Sequence, residues 1–542
     1  MASLLRRLPT RSMCLIVVAA LSVTAGAAAV YATANGPWGG QDSVAYILSA
    51  RNLMMGDRLG YLLPDGAFQP LRQFPPFYPV MLGMIGLLGP DLAAAARWLN
   101  ILLFMGTIFV AGLIFIRHSS APELSVAAGL LLASFPAMTH IFSSSLSEPL
   151  FIFLLLSAVL CLLEYSKSNA RRWLVLCAVF TSLAPLTRYV GIALLPVMVA
   201  TLFLFAQAPW KDRLRKAISF GFITSLPILW WGLAAFSGEA APSSGWGLRL
   251  DAEYASSQAS EFFYTVMQFT TRWVPFGASL QNLQLRYLYG ISIVFLTGIA
   301  AAAFLADRQM AGGDPRQRAS RDLELVFVSC AWIVAYFALL ALTTFLTTAV
   351  PAISNRMLLP IYVGVVLTLT SGLAVIQDAW FRGTRRWLRA LPWVIALWGT
   401  IYYIPQTVAE IILPLHVGAG TTSYLRRTSE TMAAVRDLPD DVPIVSNDPH
   451  AIGVWAGRPA YNLIENLQPS FIDQDARYGA DPADPAQIAF REGGAALVIF
   501  EREFPRQLEE AFGENGRQRL QTLLTGLVVG GRYEDGTIYY SP

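Results

Sequence analysis

The sequence predicts an α-helical polytopic membrane protein: about eleven transmembrane helices within residues 1–411, then a small extracytoplasmic α/β domain over residues 412–542. Three observations carry this prediction. Of the 542 residues, 55% are hydrophobic and only 14% are charged, against roughly 25% charge in an average soluble domain. Apolar runs of membrane-crossing length recur along the first 411 residues. Beyond residue 411 those runs stop and charge and turn residues rise.

A spanning helix needs roughly 20 mostly apolar residues. Such runs lie near 13–33, 92–116, 122–141, 149–165, 172–187, 190–208, 217–236, 287–306, 324–347, 357–377 and 390–411. The first also has the form of a cleavable signal peptide, with a basic start, an apolar middle and small residues after it; either way the following segment stays outside. The run 76–89, "PFYPVMLGMIGLLG", is too short and too rich in Pro and Gly to span, and fits an interfacial or re-entrant helix. The four cysteines (Cys14, Cys161, Cys177, Cys330) fall in apolar runs, as small hydrophobes do, and not in a disulfide or zinc pattern.

Orientation follows from the positive-inside rule. Basic clusters occupy alternate loops: Arg6/Arg7/Arg11, Lys167/Arg171/Arg172, Lys211/Arg213/Arg215/Lys216, Arg308/Arg316/Arg318/Arg321 and Arg382/Arg385/Arg386/Arg389. Loops 34–91, 142–148, 237–286 and 348–356 are poor in basic residues for their length and face outward. The N-terminus is therefore cytoplasmic and residues 412–542 extracytoplasmic, in what best fits a bacterial plasma membrane. The net charge of +3 is too small to argue for nucleic acid. In the outer domain, "VPIVSND" and "AALVIFE" read as short buried strands. "PRQLEEAFGENGRQRLQTLL" reads as an amphipathic helix, and "GRYEDGTIYYS" as a DG turn between strands.

Candidate chemistry gathers on the outer face. The first outer loop carries Asp42, Tyr46, Arg51, Asp57, Arg58, Asp65 and Arg72; the next carries His140, a serine run and Glu148; Arg188 interrupts "LAPLTRYVG", and Arg356 opens the tenth run in "ISNRMLLP". Ionisable groups at membrane depth are costly and mark functional sites. A carboxylate at the boundary can accept a proton from a hydroxyl, and guanidiniums bind phosphate through paired donors. Together they suit a substrate whose phosphate stays at the membrane while its partner arrives from water, as with a lipid-phosphate-linked sugar.

The run D-x-x-x-Y-x-x-x-A-R-N-L-x-x-G from Asp42, then "FPPFYPVML", "AARWLNILL", "SEPLFIFLLLSAVLCLLEY", "LAPLTRYVGIALLPV" and "NRMLLPIYVGVVL", resembles the GT-C membrane glycosyltransferases. The likeness covers roughly residues 13–410 and is nearest the branch of protein mannosyltransferases and lipid A aminoarabinose transferases. It implies a GT-C fold, a polyprenyl-phosphate sugar donor, transfer with inversion, and a lipid, glycan or protein acceptor on the extracytoplasmic face. Asp42 matches the first-loop base and Glu148 a second acid; Arg188 and Arg356 match basic positions facing the donor phosphate. Tyr46, Arg51 and Arg72 are added as substrate-binding candidates. Many relatives place two adjacent acids in the first loop. Here Ser43 follows Asp42, so no divalent metal is expected.

Each candidate also has a plainer role. Asp42 can cap the helix behind it, Glu148 can favour a helix start, Arg356 can snorkel, and Tyr46 and His140 can simply pack. Trp38, Trp230, Trp231 and Trp246 suit an interfacial belt, and Asn447, Asp448 and His450 suit ordinary turn chemistry. A polytopic transporter or lipid flippase is the rival function. It is disfavoured by ionisable residues at the outer ends, by the lack of a visible repeat, and by the length of the first outer loop. A receptor-like or assembly role leaves Asp42 and the arginines unexplained.

Overall fold

The computed structural model describes residues 10–63, 67–236, 251–275, 282–310, 321–347, 353–380, 390–417, 420–463, 494–501 and 504–540. The basic residues Arg6, Arg7, Arg316, Arg318, Arg382, Arg385, Arg386 and Arg389, with Asp65 and Trp246, lie outside them.

Among the described residues, six helices are long and apolar enough to cross a membrane: Thr10–Ala32, Leu92–His118, Glu148–Ser168, Trp210–Ala235, Asp322–Leu346 and Asn355–Ile376. A seventh crossing is the broken pair Leu124–Ser134 and Pro136–Phe142, bent by 66°. The break falls at Phe135, whose extended backbone (φ −74°, ψ 121°) precedes Pro136, since a proline disfavours the helical conformation of the residue before it. Helices also occupy other expected runs, at Arg171–Thr187, Leu194–Phe205 and Leu391–Val417, without meeting the same length and apolarity. The run at 76–89 forms the ten-residue helix Phe77–Gly86.

The helices that position the site are α1 (Thr10–Ala32), α2 (Gln41–Met54), α3 (Phe77–Gly86), α4 (Leu92–His118), α5 (Leu124–Ser134), α6 (Pro136–Phe142), α7 (Glu148–Ser168), α8 (Arg171–Thr187), α9 (Leu194–Phe205), α10 (Trp210–Phe236), α11 (Ala252–Thr271), α12 (Asn282–Met310), α13 (Arg321–Leu346) and α14 (Asn355–Trp380). One continuous apolar cluster joins all of these except α12, with Phe104, Phe115, Phe151, Leu156, Trp332 and Leu358 fully or nearly buried within it. Lipid tails give no hydrophobic drive for helix association, so packing and interhelical hydrogen bonds must. Trp332 Nε1 donates to Pro360 O at 3.1 Å and Tyr336 OH to Met357 O at 2.7 Å, which fix the start of α14 on α13. At the end of the bundle away from α2, His118 Nε2 donates to Glu164 at 3.1 Å and Ser166 Oγ to Glu324 at 2.6 Å.

The C-terminal region forms a five-stranded sheet in the order β4-β3-β5-β7-β6. Its strands are β3 (Ile444–Ser446), β4 (Tyr461–Asn462), β5 (Ala496–Phe500), β6 (Val528–Tyr533) and β7 (Gly536–Tyr540), numbered after a first-loop hairpin of β1 (Gly60–Leu62) and β2 (Phe68–Pro70). β3 pairs parallel with β4 and β5, while β7 pairs antiparallel with β5 and β6. Every residue of β5 is buried, as a central strand covered on both faces requires. Ala496, Val498 and Phe500 pack toward Met432, Val435 and Ile452; Leu497 and Ile499 pack the other way, toward Phe504 and Leu508. The expected amphipathic helix is two helices, Phe504–Phe512 and Gly516–Leu524. Gly513 between them takes φ +58°, a left-handed turn that ends the first helix and that glycine accepts without strain.

Candidate active site

Asp42 lies in the first turn of α2, but the N-cap is Gly40, whose N–H donates to Ser43 Oγ at 3.3 Å. The Asp42 carboxylate is thus spared from capping and meets Arg356 Nη1 at 2.5 Å. Arg356 is the second residue of α14, where a cation opposes the positive end of the helix dipole; the two nearby carboxylates offset that cost. Arg356 Nε lies 3.9 Å from Glu148 Oε1, and the same oxygen lies 2.7 Å from Arg188 Nη1. Four charged side chains from α2, α7, α14 and the α8–α9 connection therefore form one chain of ion pairs. The Glu148 side chain is 1% exposed and that of Arg188 16%, whereas Asp42 and Arg356 keep 19% and 30%. Glu148 is sealed, while Arg188, Asp42 and Arg356 each keep an open side.

Local structure sets each position. Glu148 is the first residue of α7, followed by Pro149, which is pre-shaped for a first turn, and the helix N-terminus favours the carboxylate. Arg188 ends α8 in an extended conformation (φ −147°, ψ 131°), so its side chain leaves the helix face before the next turn starts. Ser147 is the shared partner: its Oγ accepts from Arg188 Nη1 at 3.3 Å and shares a 3.0 Å hydrogen bond with Tyr46 OH. Burial raises the Tyr46 phenol well above its ordinary pKa, so it serves as a neutral hydrogen-bonding wall. Asn100, on α4, donates to Ser144 O, Leu146 O and Tyr78 OH, at 2.5, 3.2 and 3.2 Å, holding the loop before Glu148.

Asp42 is held at its height by a three-stranded brace. Trp38 N donates to Ser143 O at 3.0 Å and Ser145 N to Trp38 O at 2.8 Å. On the other side Thr421 N donates to Gly39 O at 3.2 Å and Tyr424 N to Asn35 O at 2.8 Å. Gly420 needs its missing side chain: at φ +69°, a Cβ there would stand 2.4 Å from Gly39 O.

Arg51 is not in this pocket. Its Nη1 donates to Gly453 O at 2.8 Å and its Nη2 to Val454 O, near the end of helix Pro449–Ala456. Terminal helix carbonyls lack intrahelical partners and attract cations, so the guanidinium caps the C-terminal domain onto α2. Arg72 comes near through its backbone, its carbonyl accepting from Tyr189 OH at 2.9 Å next to Arg188. His140 Nδ1 donates to Glu410 Oε2 at 3.0 Å and its ring leans on Trp38, centroids 5.5 Å apart. Asn447 bonds Phe500 and Gln507, and Asp448 caps the following helix and pairs with Arg426 at 3.1 Å. No motif in the sequence marks Asn100 or the backbone brace at Trp38; a lone Asn in an apolar span is the visible sign. Arg356 and Arg188 stand against the two carboxylates, so the donor set does not suit a divalent metal.

No family profile matches the chain, and no curated protein sequence matches it. Solved structures do. ArnT from Cupriavidus metallidurans bound to undecaprenyl phosphate superimposes with a TM-score of 0.53 at 13% identity, covering 97% of this chain and 98% of that one. The arabinofuranosyltransferase AftD from Mycobacteria aligns at 15% identity and a TM-score of 0.49, over 97% of this chain and 41% of that one. The likeness to ArnT shows that this chain shares the fold of that protein along nearly its whole length.

Proposed function

We propose that the chain is an integral-membrane, inverting glycosyltransferase that moves a sugar from a polyprenyl-phosphate donor to an acceptor on the extracytoplasmic face. One observation carries this reading: the Asp42–Arg356–Glu148–Arg188 array, open at Asp42 and sealed at Glu148. The full eleven crossings, a cytoplasmic N-terminus, an extracytoplasmic C-terminal domain and a bacterial inner membrane belong to the same reading.

In the mechanism, the donor phosphate enters between the guanidiniums and competes with Asp42 for Arg356. Asp42 then accepts the proton of the acceptor hydroxyl as its oxygen attacks the anomeric carbon. The bond to the phosphate oxygen breaks on the opposite face, and the electron pair leaves with the polyprenyl phosphate. Arg188 and Arg356 stabilise that charge. Glu148 holds both guanidiniums in place and needs no proton transfer. In support, ArnT of the same fold was solved with undecaprenyl phosphate bound.

The test is a transfer assay of purified protein against a panel of polyprenyl-phosphate sugars, with release of polyprenyl phosphate as readout. At least one sugar should be transferred with inversion. Turnover of none, alongside movement of an intact lipid across vesicles, would favour the flippase instead.

A further inference from the structure

A second concavity lies beside the array, where the C-terminal domain meets the start of α2. It is a cleft of about 490 Å³, within the roughly 300–1,000 Å³ typical of small-molecule sites. Trp38, Gln41, His450, Asn462, Gln507 and Glu510 contribute to its walls. Gln41 directly precedes Asp42, so the cleft ends one residue from the carboxylate.

From this lining we infer that the cleft holds the acceptor, and that the acceptor is a neutral carbohydrate. The inference rests on the glycosyltransferase reading and names the substrate class of that site. Three features support it. First, among the described residues lining the cleft there is no lysine or arginine, so a phosphorylated or carboxylated acceptor finds no counter-charge. Second, carboxamides are the most frequent polar groups of the lining, and they offer a donor and an acceptor side by side and so match the paired roles of sugar hydroxyls; Asp448 and Glu510 add carboxylate acceptors, paired with Arg426 and Arg506 respectively. Third, the Trp38 indole is 37% exposed. Its backbone is clamped to Ser143 and Ser145 and its ring leans on His140. A rigid aromatic plate of this kind packs against the C–H face of a sugar ring while the wall groups take the hydroxyls. Gln507 is pre-set by Asn447, whose Nδ2 donates to Gln507 Oε1 at 2.9 Å, leaving its NH2 to donate.

The test uses the full chain in lipid nanodiscs and two probes. Saturation-transfer NMR follows neutral linear tetrasaccharides of glucose, mannose and arabinose, and a separate titration follows undecaprenyl phosphate. At least one tetrasaccharide should bind saturably. Trp38→Ala and Gln507→Ala should each weaken it about tenfold, Trp38→Phe should retain most of it, and none of the three should alter undecaprenyl phosphate binding. Gln507→Ala keeps the test valid if Trp38→Ala fails to fold. Binding of no tetrasaccharide, or binding indifferent to both positions, overturns the inference. So does preference for a phosphorylated sugar or a serine-rich peptide with the same Trp38 dependence. Loss of undecaprenyl phosphate binding with the oligosaccharide still bound sinks the donor reading and leaves the cleft standing; the reverse sinks the cleft alone.

Discussion

Asp42 and Glu148 are both carboxylates within reach of Arg356, yet their surroundings assign them different tasks. Asp42 keeps an open side and spends no hydrogen bond on its own helix, because Gly40 takes the cap. Asp42→Asn should therefore lower kcat by about 10²–10⁴-fold, the usual weight of general-base catalysis, with undecaprenyl phosphate binding preserved; full turnover in that variant would remove Asp42 from the chemistry. Glu148 is sealed, and its nearest partner is Arg188 at 2.7 Å. Removing one member of a buried pair leaves an uncompensated charge costing about 3–5 kcal/mol. Arg188→Ala should thus lower thermal stability in detergent and abolish donor use together. Adding Glu148→Gln should restore much of the stability and none of the donor use. Arg188→Lys keeps the charge but not the fork of donors, and should show weaker donor binding in a stable protein. If donor binding returned with stability in the double variant, the phosphate would be held elsewhere.

Elements supply the precision that single residues lack. The apolar runs were legible as helices because their composition admits little else at that length. The convergence of α2, α7, α14 and the α8–α9 connection was not legible in the same way, because no local pattern specifies which helix ends meet. Arg51 shows the limit. It stands on the same helix as Asp42, and its sequence context matches the likeness to the family. Nine residues on, however, at the other end of that fourteen-residue helix, its guanidinium reaches the carbonyls of Gly453 and Val454. Hydrogen bonds involving a charged group contribute roughly 1.5–3 kcal/mol each. Arg51→Ala should loosen the C-terminal domain, seen as faster proteolytic nicking between residues 418 and 463. Transfer should fall while undecaprenyl phosphate binding is kept. Lost donor binding with an unchanged digestion pattern would return Arg51 to the donor site.

At the scale of the whole molecule, the C-terminal domain is fastened to the segment over residues 33–91 at several points besides Arg51. Arg427 pairs with Asp91 at 2.8 Å, Thr422 Oγ1 donates to Pro37 O at 2.5 Å, and Ser423 Oγ donates to Asn35 O at 3.1 Å. These ties put the domain, Asp42 and the start of α4 at one end of the bundle, with His118, Glu164 and Glu324 at the other. The proposed transfer to an extracytoplasmic acceptor requires the first of these ends to face outward. Cysteine labelling decides this cleanly, because Cys14, Cys161 and Cys177 are buried and Cys330 is partly so. In intact cells an impermeant maleimide should label Glu509→Cys, on an exposed position of helix Phe504–Phe512. It should label Arg171→Cys, at the exposed start of α8, only after permeabilisation, and the parent chain in neither case. The reversed pattern would place Asp42 in the cytoplasm, where the positive-inside rule and an extracytoplasmic transfer reaction would both fail for this chain.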